Sequence, residues 1–380
     1  MTPTDITAQQ RKIISDSAER ITQAGLEASN CRLLPPGAIV FTTRATIGSL
    51  AIAGAPLVSN QSCENLLPQA GVSSEFLYYL LTYLKPVFQR LGAGTTFMAI
   101  TRDDLREVQC AIPDEPEQVA IAAVIDAVDA LLEKLGDELT AAQRLKTALM
   151  QQLFTRGMPG RHTKFKQTDI GEIPGEWEVI RIQKALDGPP FNGVSPSSRD
   201  KPPGTPILNV TCIYDGKCDP AHVSYVDVDE PTFADCRARK GDFYVLRGNG
   251  NRDYVATGGL LSVEPDPPCI FSDKLIRLKF RSDMVAESFI PMMWQSSVFL
   301  RRLQSKAESG SGLWMMSKRD IRREHFARPK IDEQEEIVSL LKAADANISA
   351  CECAMEATRK LKTSLLQNLL TGKVRVKMET

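Results

Sequence analysis

Two short polar stretches hold the residues best suited to chemistry on a base edge. Arg247, Asn249, Asn251 and Arg252 belong to Arg-Gly-Asn-Gly-Asn-Arg, just after an apolar run that reads as a strand. Arg44 and Thr46 belong to Thr-Thr-Arg-Ala-Thr-Ile-Gly, in the same relation to the apolar run 38–42. Arginine pairs bidentately with guanine and asparagine with adenine, so these types in an exposed loop suit nucleic-acid readout. The plainer alternative is a solvated turn, since Asn-Gly is common turn chemistry. Ser195, Ser197, Ser198, Arg199 and Lys201 lie in a stretch, 189–206, rich in Pro, Gly and Ser. It is expected to be a long exposed loop, where phosphate contact and simple disorder are both open. Thr95, Thr96, Ser309 and Ser311 lie in two glycine-bearing loops, where hydroxyl contact to phosphate competes with an ordinary hinge. Lys318, Arg319, Arg322, Arg323, Arg328 and Lys330 form a basic cluster, partly neutralised by Asp320 and Glu324. Such a cluster suits DNA, a partner subunit or plain solvation.

Other chemistries lack their residues. Asp187-Gly188-Pro189-Pro190-Phe191 has the outline of an amino-methyltransferase motif, but Gly188 offers no acceptor for a target amino group, and the stretch reads as a turn. Gly372-Lys373 has no upstream glycine to make a phosphate-binding loop. No carboxylate-lysine nuclease constellation stands out. Nine cysteines with no CxxC pair, and only three histidines, argue against a zinc site. The odd cysteine count and the lack of a secretory signal point to reduced thiols in a cytoplasm. The most apolar stretch, 76–84, is too short to cross a membrane. Net charge is −1, so any attraction to nucleic acid must be local.

The elements that must position these loops are repeated. Residues 113–155 align with 329–371 without a gap, at a constant offset of 216. Gln118 falls on Gln334, and Leu145-Lys146-Thr147 on Leu361-Lys362-Thr363. Each copy opens with proline and acidic residues, which suit a helix N-terminus. Ile121, Val128, Leu135, Ala142 and Leu149 recur at heptad spacing, with Val124, Leu131 and Leu145 three residues after members of that row. The second copy keeps Ile337, Ala344, Cys351 and Leu365, with Leu340, Ala354 and Leu361 at the other position. This narrow seam predicts two long helices pairing as a coiled coil. The repeat extends upstream at the same offset through Thr101-Arg102-Asp103-Asp104-Leu105 and Ser317-Lys318-Arg319-Asp320-Ile321. It continues at offset 204 through Gly37-Ala38-Ile39 and Gly241-Asp242-Phe243. Within 1–112, residues 6–24 and 74–91 are expected to be helical. Within 169–328, strands are expected at 206–214, 223–228, 241–246 and 270–280, a helix at 289–303, and a flexible loop at 309–312.

The expected organisation is α+β. A first mixed α/β domain covers 1–112, and a long helix 113–157. A linker at 158–168 leads to a second mixed domain at 169–328, a second long helix at 329–372 and a tail at 373–380. The first domain has no counterpart of 169–204.

In this arrangement the chain resembles the specificity (S) subunit of type I restriction-modification systems. The resemblance rests on Gly171-Glu172-Ile173-Pro174-Gly175-Glu176-Trp177 before a variable domain, Gly241-Asp242 before a strand, and the Thr-Thr-Arg-Ala-Thr-Ile-Gly stretch with Asn60-Gln61 downstream. It rests also on the Gly-Thr-Thr loop before Thr101-Arg102, on Pro-x-x-x-Glu-Gln opening each long helix, and on Leu-Lys-x-x-Leu-x-Gln-x-Leu closing each. It covers nearly the whole chain. It implies two target recognition domains, each reading half of a bipartite site in double-stranded DNA, on two antiparallel spacer helices with a pseudo-twofold repeat. It implies partners: two methylation subunits and the restriction subunits. It implies no catalytic residue and no metal or cofactor in this chain, with S-adenosylmethionine, ATP and Mg on the partners. On this reading Gln118, Ile121, Val128, Leu135, Leu145, Leu149, Gln334, Ile337, Leu340, Leu361 and Leu365 serve the spacer and partner surface. A helix of about 40 residues spans roughly 60 Å, long enough to separate two readers by a turn of DNA or more, a turn being about 34 Å. Two rivals are a self-contained methyltransferase or nuclease, and a truncated or antagonist S-like protein reading one half-site or none.

Overall fold

The structure is a computed structural model of the chain. It describes all residues except Gln10, Ala45, 93–98, Ser311 and 377–380. The chain divides into two compact units, Met1–Leu139 with Ala350–Thr380, and Thr140–Ser349, so both long helices contribute to each.

The first unit begins with α1 (Pro3–Gln9), β1 (Ile13–Ile14) and α2 (Gln23–Glu27). The single helix expected over 6–24 does not form. Asp5 instead accepts hydrogen bonds from the backbone N–H groups of Thr2 and Ala18, folding the chain back on α1. Ile14 is buried and Ile13 exposed, the alternation of a strand. β2 (Ile39–Thr42), β3 (Leu50–Ala53) and β4 (Cys63–Leu66) follow. The sheet order is β1-β3-β2-β4, with β2 antiparallel to both neighbours and β1 parallel to β3. All four residues of β2 are buried, as expected of a central strand covered on both faces. α3 (Ser74–Tyr83) and α4 (Lys85–Gly92) divide at Leu84, just before Pro86, as proline's missing N–H requires. α5 (Arg102–Glu107) has a complete capping box between Thr101 and Asp104. α6 is long, Glu115–Arg156.

The second unit opens with β5 (Phe165–Thr168), β6 (Gly171–Pro174), β7 (Glu178–Arg181), α7 (Ile182–Ala185) and β8 (Phe191–Asn192). β9 (Thr205–Leu208), β10 (Ile213–Tyr214), β11 (Lys217–Cys218), β12 (Val223–Val226) and α8 (Glu230–Cys236) come next. The strand expected over 206–214 is therefore two strands with a 3-10 turn at Val210–Cys212 between them. β13 (Phe243–Leu246), β14 (Gly248–Asn249), β15 (Gly258–Leu260), β16 (Ile270–Phe271) and β17 (Leu275–Leu278) follow. The expected strand 270–280 is broken because Leu275 N–H turns back to Ser272 O, sending β16 and β17 to different sheets. α9 (Phe289–Gln295) and α10 (Ser297–Ser305) replace one expected helix. Buried Ser296 sits between them at ψ 134°, its hydroxyl donating to Met293 O. The expected loop 309–312 is flanked instead by β18 (Glu308–Gly310) and β19 (Leu313–Met315), which pair antiparallel. α11 (Lys318–Arg323), β20 (His325–Arg328) and α12 (Ile331–Leu370) complete the chain.

The repeat is visible element by element. β2 and β13 stand 204 residues apart at both ends, and α5 and α11 stand 216 apart at both ends. β3-β2-β4 and β15-β13-β17 have the same order and the same antiparallel pairing. Gly37 and Gly241, at equivalent turns before the central strand, share φ +88°, a conformation that costs glycine little and other residues much. Among the described residues no helix is long and apolar enough to cross a membrane, and no group of His, Cys, Asp or Glu is arranged to hold a metal.

The long helices use a different seam from the one their spacing suggests. Ile121 and Val128 are buried and Leu135 and Leu149 half-buried, as expected. Val124 (36 %), Leu131 (44 %), Leu145 (56 %) and Leu361 (49 %) are exposed. The covered second row lies four residues after the first, at Ile125, Leu132, Leu139, Lys146 and Leu153. The same row in α12 is Leu341, Ile348, Met355, Lys362 and Leu369. Rows at plus three and plus four both alternate with the first row, and both carry apolar residues. The lysines in the plus-four row disguise it.

Candidate nucleic-acid interface

Each unit fixes the start of one long helix with the same side chain. Gln118, buried in the first unit, accepts from Ser73 N–H (2.9 Å) and donates to Gly71 O (2.9 Å) and Pro113 O (2.8 Å). Gln334, buried in the second, accepts from Ala286 N–H (2.8 Å) and donates to Met284 O (3.1 Å) and Pro329 O (2.9 Å). One amide thus satisfies three backbone groups at a helix entrance, which orphaned N–H and C=O groups require.

The end of the other helix lies against each start. In the first unit Ile121, Ala122 and Ile125 cluster with Leu369 and Leu370, and Lys362 pairs with Asp129 at 2.5 Å. In the second, Leu153 and Phe154 cluster with Ile337, Val338 and Leu341, and Lys146 pairs with Asp345 at 2.5 Å. The two ion pairs are the same pair displaced by 216 residues, so the antiparallel register is identical in both units.

The neighbouring glutamates differ. Glu333 accepts from Trp177 Nε1–H (2.8 Å) and Met158 N–H (3.2 Å) and lies 2.7 Å from His162 Nε2. This ties the linker and the Gly-Glu-Ile-Pro-Gly-Glu-Trp stretch to α12. Beside it Arg161 pairs with Asp332 and holds that carboxyl below its usual range. Among the described residues Glu117 is met by Arg375 alone. Tyr79, its hydroxyl pushed up by burial, donates to Asp126 (2.5 Å) and Asp129 (2.9 Å). Nothing in its local spacing marks that network, because its partners lie 47 and 50 residues away.

Two of the expected reader loops directly follow the central strands β2 and β13. Arg247 follows β13, and its backbone is strapped on both sides: its N–H donates to Lys274 O and its C=O accepts from Met316 N–H. Asn249 is half-buried in β14, which pairs with β19; Asn251 and Arg252 are exposed. Much of their hydrogen bonding is local. Asn249 Oδ1 accepts from Asn251 N–H, and Asn251 Oδ1 from Asp253 N–H, as the turn reading anticipates. Arg252 donates to Gln304 O and Ser305 O, and its guanidinium lies 4.8 Å from the centre of the Trp314 ring. Among the described residues the amide N–H donors of both asparagines have no hydrogen-bond partner. Arg252 is already engaged.

In the loop after β8, Ser195, Arg199 and Lys201 are exposed. Arg199 bridges through its backbone to Tyr225 and pairs with Asp227, so part of its charge is spent. In the first unit Arg44 and Thr46 are exposed after β2, with Arg44 in a bridge to Ala99. Thr95, Thr96 and Ser311 lie outside the described residues; Ser309 is in β18. An open groove of 870 Å³ in the first unit is lined by Asn30, Arg32, Asn60, Gln61, Asn65 and Arg102, among others. Of these the sequence singled out Asn60-Gln61 and Arg102, each only as part of a motif. Arg32 has no ion-pair partner among the described residues, whereas Arg102 pairs with Glu64 at 2.9 Å.

Comparison with known proteins agrees with this architecture. Residues 5–141 match the family model described as type I restriction modification DNA specificity domain. The MjaIX type I restriction enzyme specificity subunit of Methanocaldococcus jannaschii is 33% identical over 194 residues, which cover 49% of this chain and 44% of that protein. The chain thus matches less than half the length of that relative. The EcoKI specificity subunit of Escherichia coli K12 is 22% identical over 318 residues, 82% of this chain and 68% of the relative. A chain solved in work on assembly and conformational transition of the type I R-M system superposes with a TM-score of 0.62 at 17% identity, over 92% of this chain and 86% of that one. The HsdS subunit from Thermoanaerobacter tengcongensis gives 0.52 at 16%, over 90% and 82%. Those superpositions carry the fold, and the sequence matches show what the chain is similar to: a type I restriction modification DNA specificity domain over residues 5–141, and specificity subunits of type I restriction enzymes over a larger part of its length.

Proposed function

We propose that the chain is the DNA sequence-recognition subunit of a type I restriction-modification complex. Each unit reads one half of a bipartite duplex site, and the chain positions two methylation subunits and the restriction subunits. Chemistry then belongs to the partners, with S-adenosylmethionine, ATP and Mg bound there, and the complex works in the cytoplasm. The observation that carries the reading is one anchoring geometry made twice. The same glutamine anchor and lysine–aspartate pair mount two units that each project polar loops from the end of a central strand. Two units built on one plan suit two half-sites.

The chain purified free of partners is expected to neither cut nor methylate DNA; turnover by it alone overturns the proposal. Replacing Asn249 and Asn251 with Ala removes amide donors that suit adenine, and without a good bidentate pairing discrimination is expected to relax by about 1–3 kcal/mol. Competition binding against single-base variants of the site is expected to show that change in one half only.

A second reading, a subunit that reads one half-site, is favoured by one observation. Among the described residues Glu117 has no counterpart of the tryptophan and histidine that hold Glu333, and is met by Arg375 instead.

A further inference from the structure

We propose that α11 is a phosphate clamp for duplex DNA, and that the first unit has no equivalent. The inference rests on the DNA-reading function above and adds which surface grips the backbone.

Lys318, Arg319, Arg322 and Arg323 fall within an arc of about 140° on the helix at 100° per residue. Three of them are exposed and Arg322 is half-buried. None has an ion-pair or hydrogen-bond partner among the described residues. The one acid of the helix, Asp320, is occupied as part of the cap: its Oδ2 accepts from Ser317 Oγ (2.5 Å) and its N–H donates back to that hydroxyl (3.1 Å). The other side of the helix is fixed inward. Ile321 is fully buried, and Glu324 just beyond the helix is buried against Arg302 (3.0 Å) and Lys306 (2.5 Å). Arg302 of α10 and Lys306 just after it are consumed by Glu324; the four cations on α11 are not.

Position ties this face to the reader loop. β19 pairs with β14, which carries Asn249, and Met316 N–H donates to Arg247 O (2.7 Å). Ser317 then caps α11. The cations therefore begin two residues after a bond to the loop expected to meet base edges. Phosphate contacts beside such a loop set register without reading sequence. A compact, unpaired, arginine-rich face suits phosphate, since guanidinium groups match its geometry.

The first unit has the same helix without the charge. The four equivalent positions of α5 are Arg102, Asp103, Arg106 and Glu107, and its arginines pair with Glu64 and Asp103. Four positive charges in one unit correspond to zero net charge in the other. Backbone grip on the two half-sites is unequal.

The test is salt-dependent binding of the full chain, with co-purifying subunits at equal stoichiometry, to duplex of unrelated sequence and to the cognate site. The variants are K318Q/R319Q, K318Q/R319Q/R322Q/R323Q and R102Q/R106Q. Removing one neutralised phosphate lowers the slope of log K against log salt by about 0.9. The quadruple variant is expected to flatten the slope by about 2–4 and the double by about half of that, on both duplexes, with the preferred site unchanged. R102Q/R106Q is expected to change it by less than about 0.9. An unchanged slope in the quadruple variant overturns the clamp, as does weakening confined to the cognate duplex. An unchanged slope with loss of a co-purifying subunit assigns α11 to an acidic protein surface and also overturns it. In each case a retained bipartite site leaves the recognition reading standing. Duplex binding by the unaltered chain with no site preference sinks that reading instead.

Discussion

At the scale of single residues, the side chains with the firmest role are the two buried glutamines. Gln334 satisfies one N–H and two C=O groups at the entrance to α12. Gln334→Ala strands those groups in a dry site. The expected loss is about 2–4 kcal/mol of stability, read by urea denaturation. A loss below about 1 kcal/mol would mean that other contacts fix the helix start. The glutamines were legible because they recur at one offset beside proline and acid. The candidate reader residues were legible only as polar turns. That Arg252 would lie on Trp314 and bond to Gln304 O depends on a fold that brings residues more than 50 apart together. Spending of Arg199 on Asp227 is equally non-local.

At the scale of elements, register is the quantity that matters. Lys146–Asp345 and Lys362–Asp129 hold the antiparallel helices at one setting in each unit. Reversing one charge at a time, as Lys146→Asp or Asp345→Lys, places like charges opposite each other. Exchanging both restores attraction. A double-mutant cycle is expected to give a coupling of about 0.5–1 kcal/mol for a partly exposed pair. Zero coupling would contradict the register. Heptad spacing revealed the helices and their first buried row but not their second. Rows three and four residues on are both partly apolar, and only pairing selects one. Breaks inside strands and helices were missed for a related reason. Ser296 and Ser272 interrupt apolar runs through hydrogen bonds that composition does not display.

At the scale of the whole molecule, the repeat gives one chain two units built on the same plan. The halves differ where recognition would be expected to differ. The second unit carries the long loop between β8 and β9, the β18–β19 hairpin and four cations on α11 with no partner among the described residues. The first offers an open groove with Arg32, Asn60 and Gln61. Substituting Arg32 and Gln61 with Ala is therefore expected to alter one half of the recognised site, and substituting Asn249 and Asn251 the other half, in the same binding assay. Both pairs affecting the same half would contradict a division of reading between the units. The central claim, that one chain reads two separate half-sites, is tested most directly by methylome sequencing of cells carrying this protein with its methylation subunit. A bipartite methylated motif with unread bases between two unlike halves is the predicted result. A palindromic motif, or no motif attributable to the chain, would contradict it.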